Sequence, residues 1–471
     1  MLFNSLQFIF FFIVVTLAYF SLPQRGRIWL LLLASCYFYA VFKPIYILIL
    51  FVTIIVDYFA GIWISQASGK RRKWILVLSL ITNIGFLAFF KYYNFLNTNL
   101  AVFLSKLDTD TPFPFLNFIL PIGLSFHTFQ AMSYTIEVYR GNQKEEKDFI
   151  VYALYVMFYP QLVAGPIERP QNLLWQFHSF FKYDFGNLKE GLMRIAWGMF
   201  KKVVIADRLS LMVDYCYDNP QDHSGLTLLV ATIFFTFQIY CDFSGYSDIA
   251  IGTARVMGFK LMENFDTPYF STSIAEFWRR WHISLSGWFR DYLYIPLGGN
   301  RVSEGRKYFN RFFVFMMSGL WHGAAWTFVI WGALHGIYLV MAQIRDTYFK
   351  KATATTSERK GIPIQLFNLI FTFILVMLTW VFFRAKGLSN AKTILKKIFT
   401  FSDYGTLASP LNSVEMLFCW VLIAVLLLKD KFYKNISTTN TPKFYFTFSV
   451  LIVLCYFLGV FKSNQFIYFQ F

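Results

Sequence analysis

Two histidines lie thirteen residues apart in an apolar stretch and have the chemistry of general bases. His322 and His335 occur in SGLWHGAAWTFVIWGALHG, where they are the ionisable residues. Each is followed by a glycine, which lets a substrate or another backbone approach closely. Imidazole accepts and returns a proton near neutral pH without a large change in its pKa. The pattern favours a histidine that activates a hydroxyl group, and it also fits a histidine that only packs within the membrane.

A third histidine, His282, lies in a segment rich in arginine and aromatic residues, FWRRWHISLSGWFRDYLYIPLGGNR (277–301). This segment is too charged to cross hydrocarbon, so we expect an interfacial or re-entrant pair of helices. Arg279, Arg280 and Arg290 have two interpretations. They either anchor the chain to anionic lipid on the cytoplasmic side or bind the phosphates of a cytoplasmic donor, since a guanidinium group matches a phosphate with two hydrogen bonds.

Other ionisable residues occur inside apolar stretches. Asp242 and Asp248 lie in FQIYCDFSGYSDIAIG, and His127 and Glu137 lie in LPIGLSFHTFQAMSYTIEVYR. An ionisable side chain at membrane depth is costly, so each is a candidate for a functional or supporting role.

The sequence lacks the short motifs of several other catalytic classes, including G-x-S-x-G, G-x-x-x-x-G-K-[ST], G-x-G-x-x-G and H-E-x-x-H. No acidic partner stands at ligand spacing from the three histidines, so we expect no metal site and no bound cofactor. A histidine base without a protein nucleophile favours direct transfer. In that scheme the base takes a proton from an acceptor hydroxyl, which attacks an activated acyl group.

The elements that must position these residues are membrane helices. Of 471 residues, 57% are hydrophobic, 21% are aromatic and 15% are charged, against about 25% charged in soluble chains. The net charge of +17 fits basic cytoplasmic loops facing anionic lipid better than a nucleic-acid partner. The five cysteines are scattered, which argues against a disulfide framework or a zinc ribbon.

Basic loops predict the topology. The first apolar stretch has no basic region before it and no cleavage site, so we expect a retained span with the N-terminus outside. Arg25 and Arg27 then mark one cytoplasmic loop, and the basic run 70–73 marks the next. Further spans are predicted at 28–42, 44–64, 74–92, 115–138, 149–165, 226–241, 243–258, 309–320, 324–343, 364–384, 412–428 and 444–461. We therefore expect an all-α polytopic protein of about 11–13 transmembrane or re-entrant helices, forming one membrane domain over 1–471 with a loop at 345–362.

The sequence resembles the membrane-bound O-acyltransferase family, and within it the branch that O-acetylates alginate, peptidoglycan and other polysaccharides. The resemblance runs in family order over about residues 85–340, the expected catalytic core. It is carried by LPIGLSFHTFQAMSYTIEVYRG (120–141), FYPQLVAGPIERP (158–170), GMFKKVVIADRL (198–209), YCDFSGYSDIAIGTARVMG (240–258), FWRRWHISLSGWFRDYLYIPLGGNR (277–301) and GLWHGAAWTFVIWGALHG (319–336).

The resemblance implies helices around a central tunnel in the bacterial cytoplasmic membrane. A cytoplasmic acyl thioester, acetyl-CoA, would meet a hydroxyl of an exported or cell-wall polysaccharide, with an extracytoplasmic acetyltransferase or esterase-like partner. By motif position His322 is the catalytic histidine and His282 the second one. His335, Trp321 and Asp242 would line the tunnel or support it, and Arg279, Arg280 and Arg290 would bind the donor phosphates.

Three other functions stay open on the sequence. One is D-alanyl transfer to teichoic acid from a carrier-protein thioester. The second is a proton-coupled transporter that uses Asp242, Asp248 and the histidines as a relay. The third is a structural scaffold in an export complex, for which the histidines would be replaceable.

Overall fold

Helices make up the regular structure of this chain, as its composition predicts. The computed structural model describes residues 1–117, 121–348, 361–400, 404–434, 436 and 438–461, and within these ranges it contains no β-strand. The chain divides into two units. One consists of Met1–Gly198, Tyr246–Met262 and Thr438–Phe448, and the other of Met199–Gly245, Glu263–Ser437 and Ser449–Phe471.

The first unit is built mainly from the N-terminal helices. They are α1 Leu6–Ser21, α2 Gln24–Ala40, α3 Ile47–Gln66, α4 Gly69–Leu87, α5 Tyr93–Ser105, α6 Leu124–Arg140, α7 Phe149–Met157, α8 Pro170–Phe177 and α9 Phe185–Met199. A π-helical segment, Phe200–Ala206, continues α9 into the second unit.

The second unit holds the three candidate active-site histidines and the three candidate phosphate-binding arginines, which are His282, His322, His335, Arg279, Arg280 and Arg290. Its helices are α10 Asp207–Asp218, α11 Gly225–Val256, α12 Ile274–Arg280, α13 Ile283–Phe289, α14 Glu304–His322, α15 Trp326–Tyr348, α16 Ile362–Arg384, α17 Leu388–Phe399, α18 Ser413–Phe432 and α19 Thr441–Leu458. Helices α11 and α19 each contribute residues to both units. The short pair α12 and α13 confirms the predicted pair of helices in 277–301.

Six helical stretches of the described residues are long and apolar enough to cross a membrane, which confirms a multi-pass membrane protein. They are Pro44–Gln66, Gly69–Ser105, Gly225–Val256, Trp326–Thr347, Ile362–Arg384 and Thr441–Leu458. The central tunnel and the single domain stay predictions. Of the predicted loop 345–362, residues 349–360 lie outside the described residues.

The predicted break between the spans 226–241 and 243–258 is wrong, because α11 is one continuous helix. The break was placed at Asp242 and its polar neighbours. In the structure, Lys202 Nζ lies 2.7 Å from Asp242 Oδ1, and Lys201 Nζ donates to Ser244 Oγ at 2.8 Å. Lysines from another element bind these side chains, so the helix carries them without interruption.

The predicted span 149–165 is also too long. Helix α7 ends at Met157, and the chain between it and α8 forms turns and extended backbone. Pro160 and Pro166 fall in this stretch, and a proline cannot donate the backbone hydrogen bond of a helix interior.

Helices α14 and α15 form a hairpin whose close contact is made by two glycines. A Cβ at Gly319 would lie 2.3 Å from the carbonyl oxygen of Phe328, and one at Gly332 would lie 2.3 Å from that of Phe315. Only glycine fits at such a distance. Because His322 follows Gly319 by one turn, this contact fixes where its ring lies.

Candidate active site

His322 is enclosed by aromatic rings from three helices. It is the last residue of α14, and its side chain is buried. Its ring meets Trp321 at 4.9 Å, Trp331 of α15 at 5.0 Å and Phe383 of α16 at 5.3 Å between centroids, each in an edge-on arrangement. Such contacts hold the imidazole in one orientation.

His282 belongs to the same aromatic cluster. Its ring lies 6.2 Å from that of Trp321, which therefore contacts both histidines. Phe243 of α11 packs edge-on against it at 4.6 Å. The structure thus brings His282, Trp321 and His322 together. Burial lowers the pKa of His282 to about 3, so its ring is neutral at physiological pH.

His335 has a different role, which its partners reveal. Trp278 Nε1 donates to His335 Nδ1 at 3.3 Å. Thr379 Oγ1 gives its only proton to the carbonyl of Val376 at 2.7 Å, so it must accept from His335 Nε2 at 3.0 Å. Both ring nitrogens are engaged, and His335 ties together α12, α15 and α16. This arrangement suits a supporting residue rather than a base.

A cavity of about 300 Å³ lies next to the histidine cluster, mainly between α12, α13 and α14. We call it the arginine cavity. Its lining residues are Ala275, Trp278, Arg279, Leu285, Ser286, Phe289, Arg290, Tyr294, Arg311, Val314, Phe315, Ser318 and Leu339. Ser318 precedes His322 by one helical turn, so the two share a face of α14. His322 and His282 are not among the described residues that line the cavity.

Two of the three predicted phosphate-binding arginines line the cavity. These are Arg279 and Arg290, and the hydrogen bond from Arg290 to Asp291 at 2.8 Å raises the pKa of Arg290. Arg280 does not line it. Its guanidinium group donates to Glu276 at 2.7 Å and to Thr267 at 3.3 Å.

A third cavity arginine, Arg311, was missed by sequence reasoning. A signal for it exists in α14. Arg311, Phe315, Ser318 and His322 follow one another at intervals of four, three and four residues, the spacing of one helical face. That face carries a cation near the middle of α14 and the imidazole at its C-terminal end.

The family model of membrane-bound O-acyltransferases matches residues 142–385, which include the cluster and the cavity. The chain belongs to this family. It is therefore an enzyme that transfers an acyl group to a hydroxyl oxygen.

Relatives of this O-acyltransferase include three kinds of transferase. A "probable alginate O-acetylase" of Azotobacter vinelandii is 38% identical over 94% of this chain and 88% of its own length. The peptidoglycan O-acetyltransferase of Helicobacter pylori is 38% identical over 84% of this chain and 79% of its own. The teichoic acid D-alanyltransferase of Streptococcus thermophilus is 30% identical over 60% of this chain and 71% of its own.

In this O-acyltransferase, Asp242 belongs to a buried ion cluster. Lys202 Nζ lies 2.8 Å from Asp207 Oδ1 and 2.7 Å from Asp242 Oδ1, and all three side chains are buried. The cluster joins the segment before α10 to α11. Asp242 therefore supports the packing of the second unit.

The other polar residues that the sequence singled out lie in the first unit. Asp248 forms an ion pair with Arg194 at 2.9 Å. Glu137 accepts from Arg140 at 3.1 Å, and His127 is buried within α6. Glu168, which lies in the stretch 158–170 that carries the family resemblance, accepts from the backbone nitrogen of Met262, and burial raises the pKa of Glu168 to about 7.

Proposed function

We propose that this enzyme O-acetylates hydroxyl groups of an exported or cell-wall polysaccharide, with His322 as the general base. One observation carries the proposal. The imidazoles of His322 and His282 lie in one aromatic cluster, which adjoins a cavity lined by three arginines. The relatives named for alginate and peptidoglycan O-acetylation support acetyl as the group and a polysaccharide as the acceptor.

The arginine cavity is the proposed site of the donor, acetyl-CoA. Arg279, Arg290 and Arg311 offer guanidinium groups, which bind phosphate through paired charge-assisted hydrogen bonds. The thioester end would then point along the Ser318 face of α14 toward His322. We place this cavity on the cytoplasmic side, where coenzyme A thioesters are made, in a bacterial cytoplasmic membrane with the N-terminus outside.

The proposed transfer is direct, without an acylated enzyme, and takes place at the carbonyl carbon of the thioester. The acceptor oxygen forms a bond to that carbon while its proton passes to the imidazole of His322. The tetrahedral intermediate then collapses and breaks the carbon–sulfur bond. The thiolate takes the proton from His322, which returns the ring to its neutral state. No residue of the chain becomes acylated, and an extracytoplasmic esterase-like partner would deliver the polymer hydroxyl.

Substituting His322→Ala tests this function. We expect O-acetylation to fall about 10²–10⁴-fold, the usual contribution of a general base, with normal membrane insertion. The measurement is the O-acetyl content of the exported polysaccharide and of peptidoglycan, by NMR, in a deletion strain complemented with each variant.

His223→Ala is the matched control. His223 is also buried in the second unit, and its Nε2 donates a hydrogen bond to the carbonyl of Tyr215 at 3.0 Å. It should retain acetylation at equal expression. Substantial acetylation by His322→Ala would contradict the proposed base.

D-alanyl transfer is the second candidate, favoured by the likeness to teichoic acid D-alanyltransferase. The same strains separate the two. One result would favour D-alanyl transfer: alanyl esters on teichoic acid depend on His322, and the O-acetyl groups do not change. The donor would then be a carrier-protein thioester and not acetyl-CoA.

A further inference from the structure

Asn264 accepts hydrogen bonds from His282 and from the two residues that follow it. Its side-chain oxygen lies 3.1 Å from His282 Nδ1, 2.9 Å from Ser284 Oγ and 3.3 Å from the backbone nitrogen of Ser284. Its backbone carbonyl accepts from the nitrogen of Ile283 at 2.9 Å. Asn264 is itself buried.

These contacts settle which nitrogen of His282 carries the proton. The backbone N–H of Ser284 can only donate, so the side-chain atom of Asn264 that it meets must be the amide oxygen. An amide oxygen can only accept, so Nδ1 of His282 must donate to it. The neutral ring therefore carries its proton on Nδ1 and its lone pair on Nε2.

The backbone conformation of His282 shows why these hydrogen bonds are needed. His282 has φ +44°, in the left-handed region that non-glycine residues rarely adopt. Such a conformation is energetically costly and persists only when the surrounding structure enforces it. Asn264 accepts hydrogen bonds from the side chain of His282 and from the backbone nitrogens of the next two residues. These bonds provide the surroundings that keep His282 in its left-handed conformation.

We propose that Asn264 is a positioning residue that fixes His282 as the Nδ1–H tautomer, so that Nε2 of the neutral ring is a hydrogen-bond acceptor in the transfer reaction. This inference rests on the proposed function for its catalytic consequence. The tautomer itself is a property of the resting protein and can be measured without any substrate.

The experiment is ¹⁵N NMR under magic-angle spinning on histidine-labelled protein in lipid vesicles, with the His282 signal assigned by a His282→Gln variant. We expect a protonated Nδ1 and a lone-pair Nε2 in the wild type. Asn264→Ala should shift His282 toward the Nε2–H tautomer and lower kcat about 10²-fold or more, with little change in KM for acetyl-CoA. Asn264→Asp keeps an acceptor oxygen and should keep the tautomer and restore most of kcat.

Asn310→Ala is the control for a structural effect. Asn310 is equally buried, and its Nδ2 donates to the carbonyl of Leu297 at 3.0 Å. This variant should lose stability without changing the His282 spectrum. An Nε2–H tautomer in the wild type would overturn the inference, as would an unchanged spectrum in Asn264→Ala. If Asn264→Ala fails to fold, the wild type and Asn264→Asp still decide. A correct tautomer with no acetyl transfer would instead count against the proposed function.

Discussion

The candidate active-site histidines differ in the hydrogen-bond partners of their ring nitrogens. His335 uses both nitrogens for partners, and His282 uses Nδ1 for Asn264. The sequence predicted His322 and His335 because histidine is rare in apolar stretches, and it predicted His282 in a separate segment rich in arginine and aromatic residues. It could not separate their roles, since the partners Asn264 and Thr379 come from segments distant in the chain.

The partner of His335 gives a test at this scale. Thr379→Val keeps the shape of the side chain and removes the acceptor for His335 Nε2. A buried N–H left unpaired costs about 1–3 kcal/mol. His335 accepts a hydrogen bond from Trp278, which lines the arginine cavity. We therefore expect the KM for acetyl-CoA to rise several-fold, by a larger factor than that by which kcat falls.

Steady-state kinetics and thermal unfolding of the purified enzyme would measure both effects. Thr236→Val is the control, because Thr236 is buried and its hydroxyl donates to the carbonyl of Thr232 one turn back. An equal loss in both variants would show that His335 does not shape the donor site.

At the scale of elements, amphipathic and apolar patterns predicted most helices. An error arose at a polar residue whose ion-pair partner lies in another segment of the chain. Asp242 looked like a break in a span because a free carboxylate cannot lie in hydrocarbon. The sequence does not reveal that Lys202 neutralises it. In contrast, the glycines beside His322 predicted close backbone contact, and Gly319 provides it.

That contact yields a prediction for the hairpin of α14 and α15. Gly319→Ala would place a methyl group 2.3 Å from the carbonyl oxygen of Phe328, so the helices must separate. We expect a loss of about 1–3 kcal/mol in stability and a marked drop in kcat, because the rings around His322 come from both helices. Thermal unfolding and acetyl transfer would be measured together.

Gly305→Ala in the same helix is the control. A Cβ there has no neighbour within 4 Å, and alanine favours a helix by up to about 1 kcal/mol over glycine. It should be neutral or stabilising. If Gly319→Ala behaved likewise, the hairpin contact would not determine the position of His322.

At the scale of the whole molecule, composition alone predicted the class correctly. An apolar fraction this high is stable only when lipid covers much of it, and that argument needs no knowledge of which residues touch. The division into two units could not be predicted in this way. Each unit combines segments from distant parts of the chain, and no linker composition marks a boundary between them.

The orientation in the membrane is the remaining prediction, and it follows from where the charges lie. Positive residues stay in the cytoplasm, so the loop before α2 and the run 70–73 are predicted inside, and the turn between α2 and α3 outside. Cysteine variants labelled in intact cells with a membrane-impermeant maleimide test this. Lys43→Cys, in that exposed turn, should react at once, whereas Arg71→Cys should react only after permeabilisation. The native cysteines are buried or half-buried within the protein, so their background labelling should be low.

The same labelling tests the sidedness of the donor. Gly305→Cys adds a side chain without a clash at the start of α14, the helix that carries Arg311 and His322. If the arginine cavity takes a cytoplasmic thioester, this cysteine should match Arg71→Cys and stay unlabelled in intact cells. Labelling like that of Lys43→Cys would put the guanidinium groups on the outer face, where coenzyme A is absent. The arginines would then have to bind another anion, even with His322 intact as the base.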